Sequence, residues 1–309
     1  MLVFSPRYNT DLRQYGFNKP FALDRAELVL DALKTELGRT IPYTEPEPIT
    51  MADAELIHSV EYLQALQDDA VWSEIFELKP EDMVETANAK PLHLLLDDIL
   101  LKSGGTVLAA RTAFADRLSC NLGGGYHHAF PDQGRGYCVL NDIAIAIRKI
   151  QQEGLAQRVI IVDLDFHQGD GTALIFNGDP NVFTLSVHSE EGWPEEKQES
   201  DLDVPLFSHE QGQYLEKTTM ALDTALSLFS PQLCIYVAGS DPYEHDVLPG
   251  TRFLRLNLET MRKRDELVLN TFFQRNIPLA MVFAGGYGPE VWRVHHQAVR
   301  HLLVQLGQI

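Results

Sequence analysis

The chain is poor in cysteine, in positive charge and in long apolar runs, and each shortage excludes a class of protein. Cys120, Cys138 and Cys234 are its only cysteines, too few and too scattered for a disulfide framework, and no C-x-x-C pair suggests a thiolate metal site. A reducing compartment, and so a cytoplasmic location, is the expectation. Lys and Arg number 25 against 44 Asp and Glu, a formal net charge of −19. Polyanions repel such a chain at long range, so direct nucleic-acid partners and anionic membrane surfaces are not expected. No apolar run is long enough to span a bilayer, and Met1–Tyr8 lacks the basic and then long apolar regions of a secretion signal.

Apolar residues are not in short supply. At 45% hydrophobic, with 15 Phe, 10 Tyr and 3 Trp, the 309 residues can build a sizeable core. Short β-branched runs alternate with helical-period stretches, the pattern of parallel strands joined by crossover helices. Strands are predicted at Leu2–Phe4, Ser119–Leu122, Arg158–Leu164, Val182–Val187, Leu233–Ala238 and Leu279–Ala284. Helices are predicted at 24–37, 52–67, 91–117, 140–153, 209–229, 258–275 and 289–306. With no Pro/Gly/Ser-rich linker and no repeat of fixed period, residues 1–309 are expected to form one α/β domain, a doubly wound parallel sheet with helices on both faces. Segments 38–50 and 188–208 read as surface loops. The second carries Glu190, Glu191, Glu195, Glu196, Glu199, Asp201 and Asp203, a solvated face or a rim that favours cationic substrates.

Ligands of open parallel sheets bind beyond the carboxyl ends of the strands. Four strand exits here are rich in polar groups: Gly123-Gly-Gly-Tyr-His127-His128, Asp163-Leu-Asp165-Phe-His167-Gln-Gly-Asp170, Gly239-Ser-Asp241 and Gly285-Gly-Tyr287-Gly288. Asp165 and His167 lie two apart in an extended segment, so both side chains leave one face and can grip an ion. Asp241 is a candidate third ligand. One imidazole and two carboxylates with open positions make a hydrolytic Zn²⁺ site with bonds of about 2 Å. The alternative is that Asp165 and His167 merely cap loops. A glycine-permitted turn can aim His127 and His128 into one pocket, with Asp163 and Asp170 as candidate carboxylates to orient them; either histidine alone could equally be a satisfied core residue. Tyr287 could give its phenol to a developing oxyanion or simply pack.

In order, GGGYHHA at 123–129, VDLDFHQGDG at 162–171, AGSD at 238–241 and AGGYG at 284–288 resemble the signature of the zinc-dependent histone deacetylase family. SPRYN at 5–9, Lys19-Pro20 to Arg25, and His58-Ser59 with Tyr62-Leu63 resemble its N-terminal pattern. Gln168 and RDELV at 264–268 resemble the class IV branch, and the absence of a regulatory tail points to a bacterial source. The resemblance implies the arginase/deacetylase fold, one catalytic Zn²⁺ on Asp165, His167 and Asp241, and tandem proton-handling histidines, His127 paired with Asp163 and His128 with Asp170. It makes Tyr287 the group that polarises the carbonyl. It also implies a structural K⁺ surrounded by Asp163, Asp165, His167, Ser186 and Val187. Tyr137 and Trp193 match the aromatic walls of an acyl-lysine tunnel, with Leu248 at its rim, Gly125 beside it and Arg25 lining the inner pocket. One departure is His245, which stands before Asp246-Val247-Leu248-Pro249-Gly250 where relatives carry Gly-Asp-Pro-Leu-Gly.

The implied chemistry is metal-assisted hydrolysis of N-ε-acyl-lysine amides in proteins or peptides, with His128 as general base. Class IV relatives are associated with long fatty acyl groups as well as acetyl, so a fatty acyl preference is expected. Three alternatives stand beside it. An acetylpolyamine or other small acyl-amine amidohydrolase would suit the negative charge. A non-catalytic acyl-lysine binder would not need the whole set of polar groups. An arginase-like dinuclear manganese enzyme would need carboxylates where Gly169 and Tyr243 stand.

Overall fold

Successive residues of a strand face opposite sides of a sheet, so an unbroken apolar run such as Val159-Ile160-Ile161-Val162 needs cover on both faces. The computed structural model, which describes all 309 residues, provides it. Seven parallel strands, β1 (Leu2–Val3), β2 (Leu118–Asn121), β3 (Val159–Asp163), β4 (Val182–Ser189), β5 (Leu202–Leu206), β6 (Leu233–Val237) and β7 (Leu279–Val282), form one sheet in the order β1-β2-β7-β6-β3-β4-β5. Ile160 and Val162 enter one apolar cluster, with the helices Arg25–Leu37, Tyr214–Leu228, Leu258–Gln274 and Trp292–Gln305. Val159 and Ile161 enter the other, with Leu96–Asp116 and Asp142–Gln152. No helix is long and apolar enough to cross a membrane.

The topology does the positioning. β2, β7, β6 and β3 are contiguous at the centre of the sheet, and because they run parallel, their four polar exits open at the same edge.

Two expectations change. Segment 188–208 is not a loop throughout, because β4 runs on to Ser189 and Leu202–Leu206 adds the edge strand β5. Its acids are partly structural: the Asp201 carboxylate accepts from the Thr184 backbone N–H at 2.8 Å, and Asp203 accepts from Gln168 Nε2 at 2.8 Å. An edge position also tolerates Pro205 in β5. The predicted helix 52–67 is two short helices, Met51–Ala54 and Val60–Ala65, because Thr50 and Asp53 cap the first reciprocally and Ser59 Oγ caps the second. Two further helices, Asp69–Ile75 and Asp170–Phe176, are too short to leave a periodic signal.

His58 lies between the two short helices and is buried. Its Nδ1 donates to the Phe130 carbonyl and its Nε2 accepts from the Asn141 N–H, both at 2.9 Å, which fixes the neutral ring and ties the N-terminal helices to segment 127–141. Burial lowers its pKa to about 4. A folded-state value below the ordinary one near 6.5 means that this neutral ring contributes fully above pH 6.5 and loses its contribution as pH falls toward 4. Urea unfolding at both ends of that window should show wild type losing about 3 kcal/mol more than His58→Gln, from the size of the shift. Equal losses would mean that His58 does not carry this pH dependence.

Candidate active site

The four exits converge on one buried cluster. After β3 the chain turns so that Asp165 and His167 face Asp241, which follows β6, and their ligand atoms all lie within 4.8 Å of one another. His167 Nδ1 stands 3.0 Å from Asp241 Oδ2 and 3.2 Å from Asp165 Oδ1. Backbone N–H groups hold the remaining oxygens: Phe166 donates to Asp241 Oδ1 and Gly285 to Asp165 Oδ2, both at 2.9 Å. Asp241 Oδ2 is buried with no hydrogen-bond donor. A Cβ on Gly239 would sit 2.0 Å from Asp165 Oδ2, and one on Gly285 2.5 Å from both Asp165 Oδ2 and Asp241 Oδ2. Glycine is required there because the carboxylates pack directly on backbone.

This donor set fits a divalent cation. Burial opposes charge on His167, but the two carboxylates outweigh it and push its pKa up to about 10. Burial and the charge of Asp165 raise Asp241 to about 6. Two anionic oxygens converging on one ring nitrogen, one of them without a donor, suit a small cation better than a proton.

His127 and His128 follow the glycine turn after β2, their ring centroids 4.0 Å apart. His127 Nδ1 meets Asp163 Oδ2 at 2.7 Å, and His128 Nδ1 meets Asp170 Oδ1 at 2.6 Å. The same contacts produce opposite protonation. Burial disfavours the charge on His127, yet Asp163 and Asp165 raise its pKa to about 9. Burial lowers His128 to about 3, and the neighbouring charge of His127 adds to the fall, which Asp170 only partly offsets. The two rings thus lean in opposite directions, His127 toward its charged form and His128 toward the free base.

Tyr287 is half-buried, and desolvation with the nearby charges of Asp241 and Asp165 keeps its phenol protonated well above the ordinary value. Its backbone lies between Gly286 and Gly288, both at positive φ, so the turn needs an external anchor. Asp246 provides one: Oδ2 accepts from the Tyr287 N–H at 2.7 Å, and Oδ1 accepts from the Leu248 N–H at 2.9 Å and the Thr251 hydroxyl at 3.0 Å. The opposite flank of the turn is held where Gly288 donates to the Pro20 carbonyl at 3.0 Å.

A cavity of ≈ 210 Å³ lined by Tyr137, Trp193, Leu248, Gly136, Glu77, His128, His167 and Tyr287 leads to this cluster. The Trp193 ring meets His128 edge-on at 4.6 Å, and Arg135 lies over Trp193 at 4.7 Å while reaching Asp170 Oδ2 at 3.2 Å. A second cavity, ≈ 160 Å³, lies inward and is lined by Gly125, Arg25, Lys102, Tyr8, Leu12, Phe21 and Ile99 among others. The fold thus brings every sequence-predicted site residue except Asp163, Asp170, Asp241, Trp193, Leu248, Ser186 and Val187 to the inner cavity or its mouth. Of these, Trp193 and Leu248 line the outer cavity, Asp241 closes the ligand cluster, and Asp163 and Asp170 back the histidines. Ser186 pairs in register with Asp163, and Val187 follows it on β4. His245 is exposed and packs on Tyr243.

Sequence reasoning missed three supporting residues. Asp142 accepts from the Gly125 and Tyr126 N–H groups, at 2.9 and 2.7 Å, and so fixes the glycine turn. Asp246 holds Tyr287, and Arg135 backs Asp170. An Asp at a helix start or in a loop looks like an ordinary cap, so only the fold distinguishes these.

A histone deacetylase domain profile matches residues 19–303. An uncharacterised protein of Picosynechococcus sp. is 46% identical over 202 residues, 65% of this chain and 65% of that one. Histone deacetylase 2 of Arabidopsis thaliana is 32% identical over 312 residues, 97% of this chain and 78% of its own length. The acetoin utilization protein AcuC of Staphylococcus aureus is 29% identical over 318 residues, 97% and 80% of the two chains. Among solved structures, the HDA15 HD domain superposes with a TM-score of 0.76 at 20% identity, covering 99% of this chain and 89% of that one. An acetylpolyamine aminohydrolase from Burkholderia pseudomallei gives 0.73 at 18%, covering 98% of each. At such identities these two structures show the shared fold.

The ligand cluster should take one divalent ion per chain. Metal analysis after zinc loading should find a single equivalent, lost in Asp241→Ala; two equivalents would instead favour a dinuclear centre.

Proposed function

This chain belongs to the histone deacetylase family of amidohydrolases, in the arginase/deacetylase superfamily, and we propose that it hydrolyses the side-chain amide of N-ε-acyl-lysine in proteins or peptides. The observation that carries this reading is the outer cavity, whose aromatic walls end on the carboxylate, imidazole and phenol cluster. Acylation makes the lysine side chain neutral, and its methylene stem then gains from packing between Tyr137 and Trp193 rather than losing hydration of a charge.

A divalent cation on Asp165, His167 and Asp241, zinc by family resemblance, would supply Lewis-acid polarisation of the acyl carbonyl and acidify a water. The remaining roles fall to this chain's own groups. Tyr287 donates a hydrogen bond from its phenol to the carbonyl oxygen as negative charge develops there. His128, neutral and held at Nδ1 by Asp170, accepts a proton from the attacking water at Nε2. His127, protonated beside Asp163, balances the developing anion, and His128 hands the proton taken from water to the leaving nitrogen, which frees the lysine amine. Carboxylate ligands temper a cation's pull on water more than neutral imidazoles do, which puts more of the demand on His128. A structural K⁺ near Asp163, Asp165, His167, Ser186 and Val187 belongs to the same proposal, by resemblance.

An acetylated polyamine is the second reading, favoured by Glu77 at the mouth and by the net charge of −19. Hydrolysis of acetyl-, decanoyl- and myristoyl-lysine peptides beside acetylpolyamines, with and without chelator, separates these readings. Chelator-sensitive cleavage of the peptides, fastest for the long chains, is expected. Faster acetylpolyamine cleavage would move the substrate class, and binding without turnover would make the protein a reader of acyl-lysine.

His128→Ala and Tyr287→Phe should each lower kcat by roughly a hundredfold or more while zinc content stays at one equivalent. Near-normal rates would remove the assigned role. Asp246→Ala should lower kcat more than KM, and Asp246→Asn, which keeps an acceptor for the Tyr287 N–H, should recover part of the loss. If Asp246 acts through Tyr287, the double variant with Tyr287→Phe should be no slower than Tyr287→Phe alone; additive losses would mean a general structural role.

A further inference from the structure

RDELV at 264–268 lines neither cavity, yet its first residue is completely buried. Arg264, on the helix Leu258–Gln274, carries its guanidinium to the point where β3 and β6 end. Nη1 donates to the Leu164 carbonyl at 3.1 Å and to the Gly239 carbonyl at 2.6 Å. Both carbonyls lie past the strand ends at Asp163 and Val237, where the regular ladder no longer serves them. The Leu164 N–H still pairs with the Val237 carbonyl, at 3.1 Å; past that bond, the Leu164 and Gly239 carbonyls are joined through this one guanidinium. A cation buried so deeply needs a counter-charge, and Asp265 gives it. Its Oδ1 accepts from Arg264 Nε at 2.8 Å and from the Tyr236 hydroxyl, on β6, at 2.5 Å. Burial opposes the charge on Arg264, but Asp265 outweighs it and holds the guanidinium charged, its pKa above the ordinary value.

The two carbonyls stand next to the ligand residues. Asp165 follows Leu164 directly, and Asp241 comes two residues after Gly239. Gly239 also packs against Asp165, since a Cβ there would sit 2.0 Å from its Oδ2 and 2.8 Å from its Cα. A shift of either strand exit would change the gap between the two carboxylates, and an ion with bonds of about 2 Å tolerates little change. We propose that Arg264 is a positioning residue, which sets the separation of Asp165 and Asp241 by bridging the β3 and β6 exits and so preorganises the donor cluster for a divalent ion. This rests on the reading of Asp165, His167 and Asp241 as a metal site and adds the device that holds it in shape. The role belongs to the planar reach of the guanidinium rather than to its charge, which Asp265 already balances.

The test titrates the metal-free protein with Zn²⁺ against a chelator of known affinity and, separately, loads it with Co²⁺, whose visible absorption reports ligand geometry. Both are done well below the Tm of each variant. The double variant Arg264→Met with Asp265→Asn avoids a buried unpaired acid and keeps an acceptor for the Tyr236 hydroxyl. Its zinc affinity should fall roughly tenfold or more, and its Co²⁺ bands should move. Arg264→Lys keeps a donor but not the planar reach to both carbonyls, and it should fall between the double variant and wild type. Val268→Ala removes buried packing from the same helix without touching either carbonyl, so it should lower the Tm while leaving zinc affinity and Co²⁺ spectrum as in wild type. Wild-type affinity and bands in the double variant, or in Arg264→Lys if the double variant does not fold, overturn the proposal. A loss in Val268→Ala as large as in the Arg264 variants also overturns it, because general loosening would then explain both. If wild type itself retains no metal, the metal-site reading has failed and the positioning role fails with it; metal bound equally well by every variant removes the positioning role alone.

Discussion

The constraint on which the rest of the structure depends is the burial of acid. Asp163, Asp165, Asp170 and Asp241 are all withdrawn from water at the centre of the sheet edge. Uncompensated, such charges would be expelled or neutralised by protonation. Compensation comes from several directions: imidazoles on Asp163 and Asp170, the Arg135 guanidinium on Asp170, backbone N–H groups on Asp165 and Asp241, and a donor set that calls for a cation. The glycines follow from the same demand, since any Cβ at Gly239 or Gly285 would displace a carboxylate oxygen. A net charge of −19 therefore has an interior share as well as a surface one.

That arrangement also splits the tandem histidines. Each has one carboxylate on Nδ1, but only His127 feels Asp165 as well, its Nε2 lying 3.7 Å from that residue. Asp165 tips His127 toward the charged form, and charged His127 then disfavours a second charge on His128. Burial disfavours charge on both rings; Asp163 and Asp165 together outweigh it at His127, whereas Asp170 does not at His128. An acid and a base side by side are what amide hydrolysis asks for, since one proton is taken from water and another must reach the leaving nitrogen.

The parts of the site differ in how they are held. The ligand residues grow directly out of β3 and β6, where ladder hydrogen bonds and packing on both faces leave little freedom. Tyr287 sits on a turn between glycines, and the channel wall at Trp193 sits on a long excursion between β4 and β5. Both are tied back by buried polar side chains, Tyr287 by Asp246 and the excursion by Gln168, which holds Gln198 and Asp203. The acids of 188–208 thus divide. Glu190, Glu191, Glu195, Glu196 and Glu199 are exposed, whereas Asp201 accepts from Thr184 on β4 and Asp203 from Gln168 beyond β3.

The alternating apolar runs and polar exits determined the fold class, six of the seven strands and the whole set of ligand and histidine candidates, because strand periodicity and motif order are local properties of a chain. β5 escaped because Leu202–Leu206 is short, half-exposed and interrupted by Pro205, so its membership depends on pairing with β4 rather than on its own pattern. Asp142, Asp246 and Arg135 escaped for a related reason: a capping Asp and a surface Arg look the same in sequence whether they face solvent or a neighbouring turn. The sequence by itself determined which residues are the candidates for the chemistry. Tertiary structure alone decided that Asp142 fixes the glycine turn, that Arg135 backs Asp170 and how Tyr287 is anchored, since each is a contact between segments far apart along the chain.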